Sequence, residues 1–155
     1  MLADDLLQYP AVARLHAAHP ESILEGAFAR KELTLVIARE AILPSARLLR
    51  DDLGYDLLSD ITCVDWYPLD PRFEVVYHLY ATASHQFLRL KVRAGVAQEV
   101  ASLIPVWPSA NWFEREVWDL FGVRFTGHPE LQRMLMPNNW EGHPLRKDYP
   151  VEGYR

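Results

Sequence analysis

The stretch HQFLRLKVRA, at positions 85–94, has the clearest alternation of apolar and polar residues in the chain. Its apolar side chains are Phe87, Leu88 and Leu90, and its basic side chains are Arg89, Lys91 and Arg93. A period of two predicts a β-strand with one face on a core. The stretches at 56–68 and 73–82 have the same character, and turn residues at 68–71 and near 84 separate the three runs. The pattern predicts an antiparallel meander of three strands.

Two helices and a strand pair are predicted before the meander. Apolar residues at helical spacing indicate a short helix at 11–19 and a longer one at 39–55. In the longer helix Pro44 fits the first turn, and Gly54 fits the C-terminal cap. The alternation at 22–38, interrupted by the polar turn RKE, indicates two paired strands.

Two further helices are predicted after the meander. The first is short, lies within the stretch 95–108 and ends before Pro105. The second spans 109–123 and ends at Gly122. Its apolar stripe consists of Phe113, Val117, Leu120 and Phe121, with Asn111 and Glu114 as a capping box and Ser109 as an alternative N-cap. For residues 1–126 these elements predict an α+β fold, in which a mixed, mostly antiparallel sheet of four to five strands has helices packed on one face.

Composition changes towards the C-terminus. From Pro105 onward lie six of the 11 prolines and four of the five tryptophans. This part includes the stretch GHPELQRMLMPNNWEGHPLRKDYP, in which the tripeptide GHP occurs twice. Such a segment is too rich in proline for a regular element and too apolar for a disordered tail, so it has to pack on its own domain or on a partner. We therefore predict that residues 127–155 form an extended C-terminal docking arm, which turns at Gly127 and Gly142.

Charge and cysteine content exclude several functions. A net charge of −5, without a run of basic residues, argues against nucleic-acid binding. The single cysteine, Cys63, allows no disulfide and no thiolate cluster within the chain, and its apolar neighbours favour a buried position. The scattered glycines form no phosphate-binding loop. The acidic N-terminus lacks the features of a signal peptide, and no apolar run is long enough to cross a membrane.

The histidines and carboxylates of the C-terminal stretch are candidate metal ligands. They are His128, Glu130, Glu141, His143 and Asp148. Because no two of them stand at the paired spacing that fixes ligands on one element, we predict no metal site. We expect each histidine to form a hydrogen bond within its turn instead.

The predicted helix at 109–123 concentrates charge and tryptophan. Glu114, Glu116 and Asp119 lie close to Arg115 and Trp118. Paired carboxylates also occur in general acid–base catalysis and on any solvated helix face, but acid, arginine and tryptophan together are typical of a protein interface. We predict no catalytic residue, and an interface that these five residues form with the following residues of the arm: His128, Trp140, His143, Arg146, Lys147, Asp148 and Tyr149.

The spacing of these residues carries a family resemblance. The stretch EREVWDLFGVRFTGH, followed by MLMPNNWEGHPLRKDYP, closely resembles the 30-kDa subunit family of respiratory complex I, the proton-pumping NADH:quinone oxidoreductase. About forty residues match with fixed internal spacing, whereas the preceding part matches in length and strand order alone. Gln132 and Asn139 depart from the residues usual in the family.

The resemblance implies a structural subunit without catalytic residues or a cofactor of its own. Flavin and iron–sulfur clusters are expected in partner subunits. The expected partners are the large subunit of the 49-kDa type and neighbouring subunits of the hydrophilic arm. Membrane association is expected through the complex alone, at the cytoplasmic face of the bacterial inner membrane. Two alternatives stay open: the equivalent subunit of a membrane-bound hydrogenase or a plastoquinone-type complex, and a stand-alone hydrolase that uses the His and carboxylate loops.

Overall fold

A computed structural model describes residues 4–154 and has an α+β fold. The three α-helices are α1 (Pro10–Ala18), α2 (Ile42–Leu53) and α3 (Ala110–Phe121). The strands are β1 (Ile23–Ala29), β2 (Glu32–Ile37), β3 (Leu57–Asp65), β4 (Phe73–Ala81), β5 (Gln86–Ala94), β6 (Val100–Ala101) and β7 (Phe125–Thr126). Short 3₁₀ helices at Asp4–Gln8 and Arg39–Ala41 precede α1 and α2.

The five long strands form one mixed sheet in the order β1-β2-β5-β4-β3. Every neighbouring pair is antiparallel except β2 and β5, which are parallel. The structure thus confirms the predicted mixed, mostly antiparallel sheet, with five of the predicted four to five strands, and the antiparallel meander β3-β4-β5. It also confirms the predicted helix ends, because Gly54 and Gly122 adopt left-handed conformations with φ of +72° and +80°.

One face of the sheet forms the core. On β5, Leu88, Leu90 and Val92 are buried, and they pack with apolar residues of all three helices. The opposite face carries Arg89 and its basic neighbours, paired with carboxylates. Phe87 lies on the polar side of the alternation and is 66% exposed, so its predicted place beside Leu88 was wrong.

The predicted helix at 95–108 was also wrong. Its backbone instead pairs with β7: the Val100 N–H donates to the Arg124 carbonyl, and the Ser102 N–H donates to the Thr126 carbonyl. Turns that follow bury Leu103 and Trp107 in the core. The apolar residues therefore reflect the burial of β6 and of the turns that follow it, and not a helix.

Candidate functional site at helix α3 and the C-terminal segment

The C-terminal segment, residues 127–154, contains neither helix nor strand and covers the end of α3. His143 Nδ1–H donates to the Asp119 carbonyl at 3.0 Å, and the Leu145 N–H donates to the Leu120 carbonyl at 3.0 Å. Arg146 Nε–H donates to the Phe121 carbonyl at 2.6 Å. These three carbonyls belong to the last turn of α3 and have no partner within the helix. The C-terminal segment therefore caps the helix.

Asp119 anchors the middle of this segment. Its side chain is fully buried, and Oδ2 accepts the backbone N–H groups of Met134, Leu135 and Met136 at 2.7–3.0 Å. Arg133 Nη1 donates to Oδ1 at 2.9 Å. Burial alone would raise the pKa of Asp119, but these donors outweigh it and lower the pKa below its ordinary value. The carboxylate thus stays charged and holds the segment in one conformation.

Arg133 joins Asp119 to the second half of the segment. Its Nη2 donates to the carbonyls of Trp140 and Gly142, both at 2.9 Å. The guanidinium also lies 5.5 Å from the centre of the Trp118 ring. Only arginine presents donors in a planar fork that can reach a carboxylate and two carbonyls together.

A second ion network fixes the end of the segment to the sheet. Arg72 donates to both oxygens of Asp65 at 2.8 Å and to Asp148 Oδ1 at 2.6 Å. The backbone N–H of Lys147 donates to Asp65 Oδ2 at 2.8 Å. Burial opposes the ionisation of Asp65, but Arg72 and two backbone N–H groups lower its pKa to about 2.

Both GHP tripeptides are turns. Gly127 and Gly142 have φ of +82° and +77°, as the sequence predicted. His128 Nδ1 accepts the N–H of Glu130, so its Nε2 carries the proton and donates to the Asn111 carbonyl at 3.1 Å. Within residues 4–154, no three His, Cys, Asp or Glu side chains are placed together to hold a metal ion.

Glu114 lies beneath α3, inside the domain. Its carboxylate accepts the Ser102 hydroxyl at 2.7 Å and the Leu103 N–H at 2.6 Å. Burial raises its pKa to about 7, against the opposing effect of these two donors. The predicted capping box is therefore wrong: α3 begins at Ala110, and Glu114 holds the segment that follows β6.

Large apolar side chains remain in solvent on α3 and on the C-terminal segment. We call this set of exposed side chains the α3–tail surface. They are Trp112, Leu135, Trp140, Leu145, Val151 and Tyr154. Their exposure ranges from 42% at Trp140 to 105% at Val151. Leu135, Trp140 and Leu145 therefore project from a backbone that the hydrogen bonds described above hold in place.

Comparison with known proteins places the chain in a family. The profile of the "Respiratory-chain NADH dehydrogenase, 30 Kd subunit" family matches residues 35–155. The chain belongs to this family. An NADH-quinone oxidoreductase subunit of the same kind from Roseiflexus castenholzii is 48% identical over 94% of this chain and 86% of that protein. The equivalent subunit from Geobacter sulfurreducens is 47% identical over 92% of this chain and 90% of that protein.

The family fold also occurs in an archaeal respiratory complex. A chain from the structure of the membrane-bound sulfane sulfur reductase superposes with a TM-score of 0.77 and 26% identity, covering 90% of this chain and 84% of that chain. As a member of the 30-kDa family, this chain is a subunit of a multisubunit respiratory oxidoreductase complex. Among residues 4–154, no helix has the length and hydrophobicity to span a membrane.

The structure divides the predicted interface residues of this family member into three groups. Glu114 and Asp119 are fully buried, so we correct the prediction that they contact a partner directly: they position parts of the chain itself. Partly buried are Arg115, Glu116, Trp118, His128, His143, Arg146 and Tyr149. Exposed are Trp140, Lys147 and Asp148.

Sequence reasoning missed Asp65, Arg72 and Arg133. Arg72 lies in the loop just before β4, and Arg133 lies in the C-terminal segment, so neither position belongs to a periodic pattern that marks it. The one signal at Asp65 was an acidic side chain on the core face of a predicted strand. Such a residue has to find a cationic or N–H partner, but its sequence position does not say which.

Proposed function

We propose that this chain is a non-catalytic structural subunit of NADH:quinone oxidoreductase, which docks through the α3–tail surface onto the hydrophilic arm. The large subunit of the 49-kDa type is the principal partner in this proposal. Partner subunits hold the flavin and the iron–sulfur clusters. The chain supports electron transfer from NADH to quinone, coupled to proton translocation, by ordering these partners at the cytoplasmic face of the inner membrane.

The observation that carries the proposal is the exposure of Trp140 and Leu145 on a backbone that hydrogen bonds hold against α3. Several large apolar side chains exposed on one segment are typical of binding sites, and tryptophan is enriched among the residues that dominate binding energies. Docking loses little conformational entropy when the backbone is already fixed, here by Asp119 and by the Arg72 network.

Two substitutions test the docking surface. Trp140→Glu and Leu145→Glu place a charge where we expect a buried contact, and Val96→Glu is the control at an exposed apolar residue of the β5–β6 loop. In tagged protein purified from the membranes of the source organism, both test variants should retain less than about one tenth of the wild-type amount of the 49-kDa-type partner. Wild-type recovery with Trp140→Glu and Leu145→Glu would contradict the proposal.

The similarity to the sulfane sulfur reductase chain favours a second candidate. In this second candidate function, the chain is the equivalent structural subunit of a related respiratory membrane complex that does not oxidise NADH. Mass spectrometry of the co-purified subunits separates the two candidates. Flavin-containing NADH-oxidising subunits support the first, and their absence from an intact, quinone- or sulfur-reducing complex supports the second.

A further inference from the structure

A groove lies between α3 and the middle of β3, beside the α3–tail surface. It encloses about 250 Å³. Its apolar lining consists of Ile61, Phe113, Val117, Leu120, Phe121 and Leu145, and its polar lining consists of Asp60, Thr62 and Glu116. Leu145 also belongs to the α3–tail surface, and its N–H is bonded to the Leu120 carbonyl. The groove is therefore continuous with the surface that docks in the proposed function.

The groove carries negative charge without a matching cation. Within residues 4–154, the partly buried carboxylate of Glu116 forms no hydrogen bond and no ion pair, and no Lys, Arg or His lines the groove. Asp60 also lines the groove, but its carboxylate already accepts the His78 Nδ1–H. Among the described residues, the groove thus presents one carboxylate without a partner, that of Glu116, beside apolar walls.

The volume of the groove indicates what kind of group it can bind. Small-molecule sites usually enclose about 300–1,000 Å³, so this groove is small for a cofactor and suits one or two side chains. Covering Glu116 with a purely apolar surface would bury an unpaired carboxylate, which is strongly unfavourable. A cationic side chain that arrives together with an apolar one removes this penalty and makes the groove selective.

We propose that the α3–β3 groove receives a segment of the partner protein in which an apolar side chain stands next to a lysine or arginine. The apolar side chain contacts Phe113, Leu120 and Leu145, and the cation pairs with Glu116. This inference rests on the proposed function and adds a specific recognition site to it, because Glu116 selects the partner by charge.

Substitutions at Glu116 test the inference in the full-length chain within the complex. Glu116→Gln keeps the shape and removes the charge, Glu116→Lys reverses the charge, and Glu21→Lys is the matched control at an exposed glutamate before β1. We expect Glu116→Gln to lower the amount of co-purified complex by about thirtyfold, and Glu116→Lys to abolish co-purification. Glu21→Lys should behave as wild type. Thermal unfolding of the isolated variants should match wild type, because Glu116 has no partner within the described chain.

The outcomes separate this inference from the proposed function. If Trp140→Glu prevents assembly while Glu116→Lys assembles as wild type, the groove proposal fails and the docking surface stands. If Trp140→Glu also assembles normally, the proposed function itself fails. If the purified chain is a dimer that Glu116→Lys dissociates, the groove binds a second copy, and the partner proposal is overturned.

Discussion

Three buried acidic side chains, Asp65, Glu114 and Asp119, differ in their donors and therefore in their protonation. Burial raises the pKa of each one, but the donors around Asp65 and Asp119 include an arginine, and the pKa values fall below the ordinary range. Glu114 has two neutral donors, and its pKa rises to about 7. At neutral pH, Asp65 and Asp119 are therefore charged, whereas Glu114 is only partly ionised because its pKa of about 7 is close to the solvent pH.

The raised pKa of Glu114 predicts that the stability of the protein depends on pH in a specific way. Its folded pKa of about 7 lies above the ordinary 4.5, so the stability it contributes is fully present below pH 4.5 and is lost as the pH rises through 7. Glu114→Gln mimics the protonated form. The stability of this variant relative to wild type should therefore rise by up to about 3 kcal/mol between pH 5 and pH 8. Urea unfolding of both proteins at the two pH values measures the difference, and a pH-independent difference would contradict the assignment.

We expect a large loss of stability when the charge of Asp119 is removed. Asp119→Asn leaves Arg133 partly buried without its carboxylate, so the free energy of unfolding should fall by about 3–5 kcal/mol. Asp52→Asn is the control, because Asp52 pairs with Arg14 at a site where both side chains are exposed. Its effect should stay below about 1 kcal/mol. Urea unfolding at pH 7 compares the two variants, and equal losses would show that the buried network is not an anchor.

At the scale of elements, α3 and the C-terminal segment depend on each other at Gly122. A Cβ atom at Gly122 would lie 2.5 Å from Arg146 Nη2 and 2.6 Å from His143 Cδ2. Gly54 caps α2 with a similar φ, but a Cβ atom there would meet nothing within 4 Å. The two caps therefore differ in what covers them and not in backbone conformation.

This difference makes Gly122→Ala and Gly54→Ala a matched pair. Gly54→Ala should destabilise by about 1 kcal/mol, which is the cost of a left-handed alanine. Gly122→Ala should destabilise by about 2 kcal/mol more, because the side chain also displaces His143 and Arg146 from the helix end. Trypsin should then cleave after Arg146 and Lys147 faster than in wild type. Equal stability and equal cleavage in both variants would refute the capping role of the C-terminal segment.

Alternation along the chain predicted all five long strands, since burial of one sheet face imposes a period of two. It could not predict that 95–108 forms the short strand β6 and turns, because such a buried segment and a buried helix both need apolar residues. It also could not show that Asp119 is buried. The donors to Asp119 come from residues 14 to 17 positions later, and Asp148 meets Arg72 across 76 positions. Such contacts depend on the tertiary fold and leave no local pattern.

At the scale of the whole molecule, the boundary at residue 126 stays a prediction. The bonds across it connect the C-terminal segment to Asp119, Asp65 and Arg72. A chain of residues 1–126 would lose these partners, and the combined loss should approach the total stability of a small domain, about 5–15 kcal/mol. We expect this fragment to unfold without a cooperative urea transition. A cooperative transition close to that of the full chain would show that residues 127–155 form a separate arm.

The central claim is that the α3–tail surface is covered by a partner in the respiratory complex. Hydroxyl-radical footprinting of the purified chain and of the intact complex tests it most directly. Trp112, Trp140 and Leu145 should lose most of their reactivity on assembly, while the exposed residues Phe87 and Val96 keep theirs. Unchanged oxidation of Trp112, Trp140 and Leu145 in the complex, with protection at Phe87 and Val96 instead, would contradict the claim.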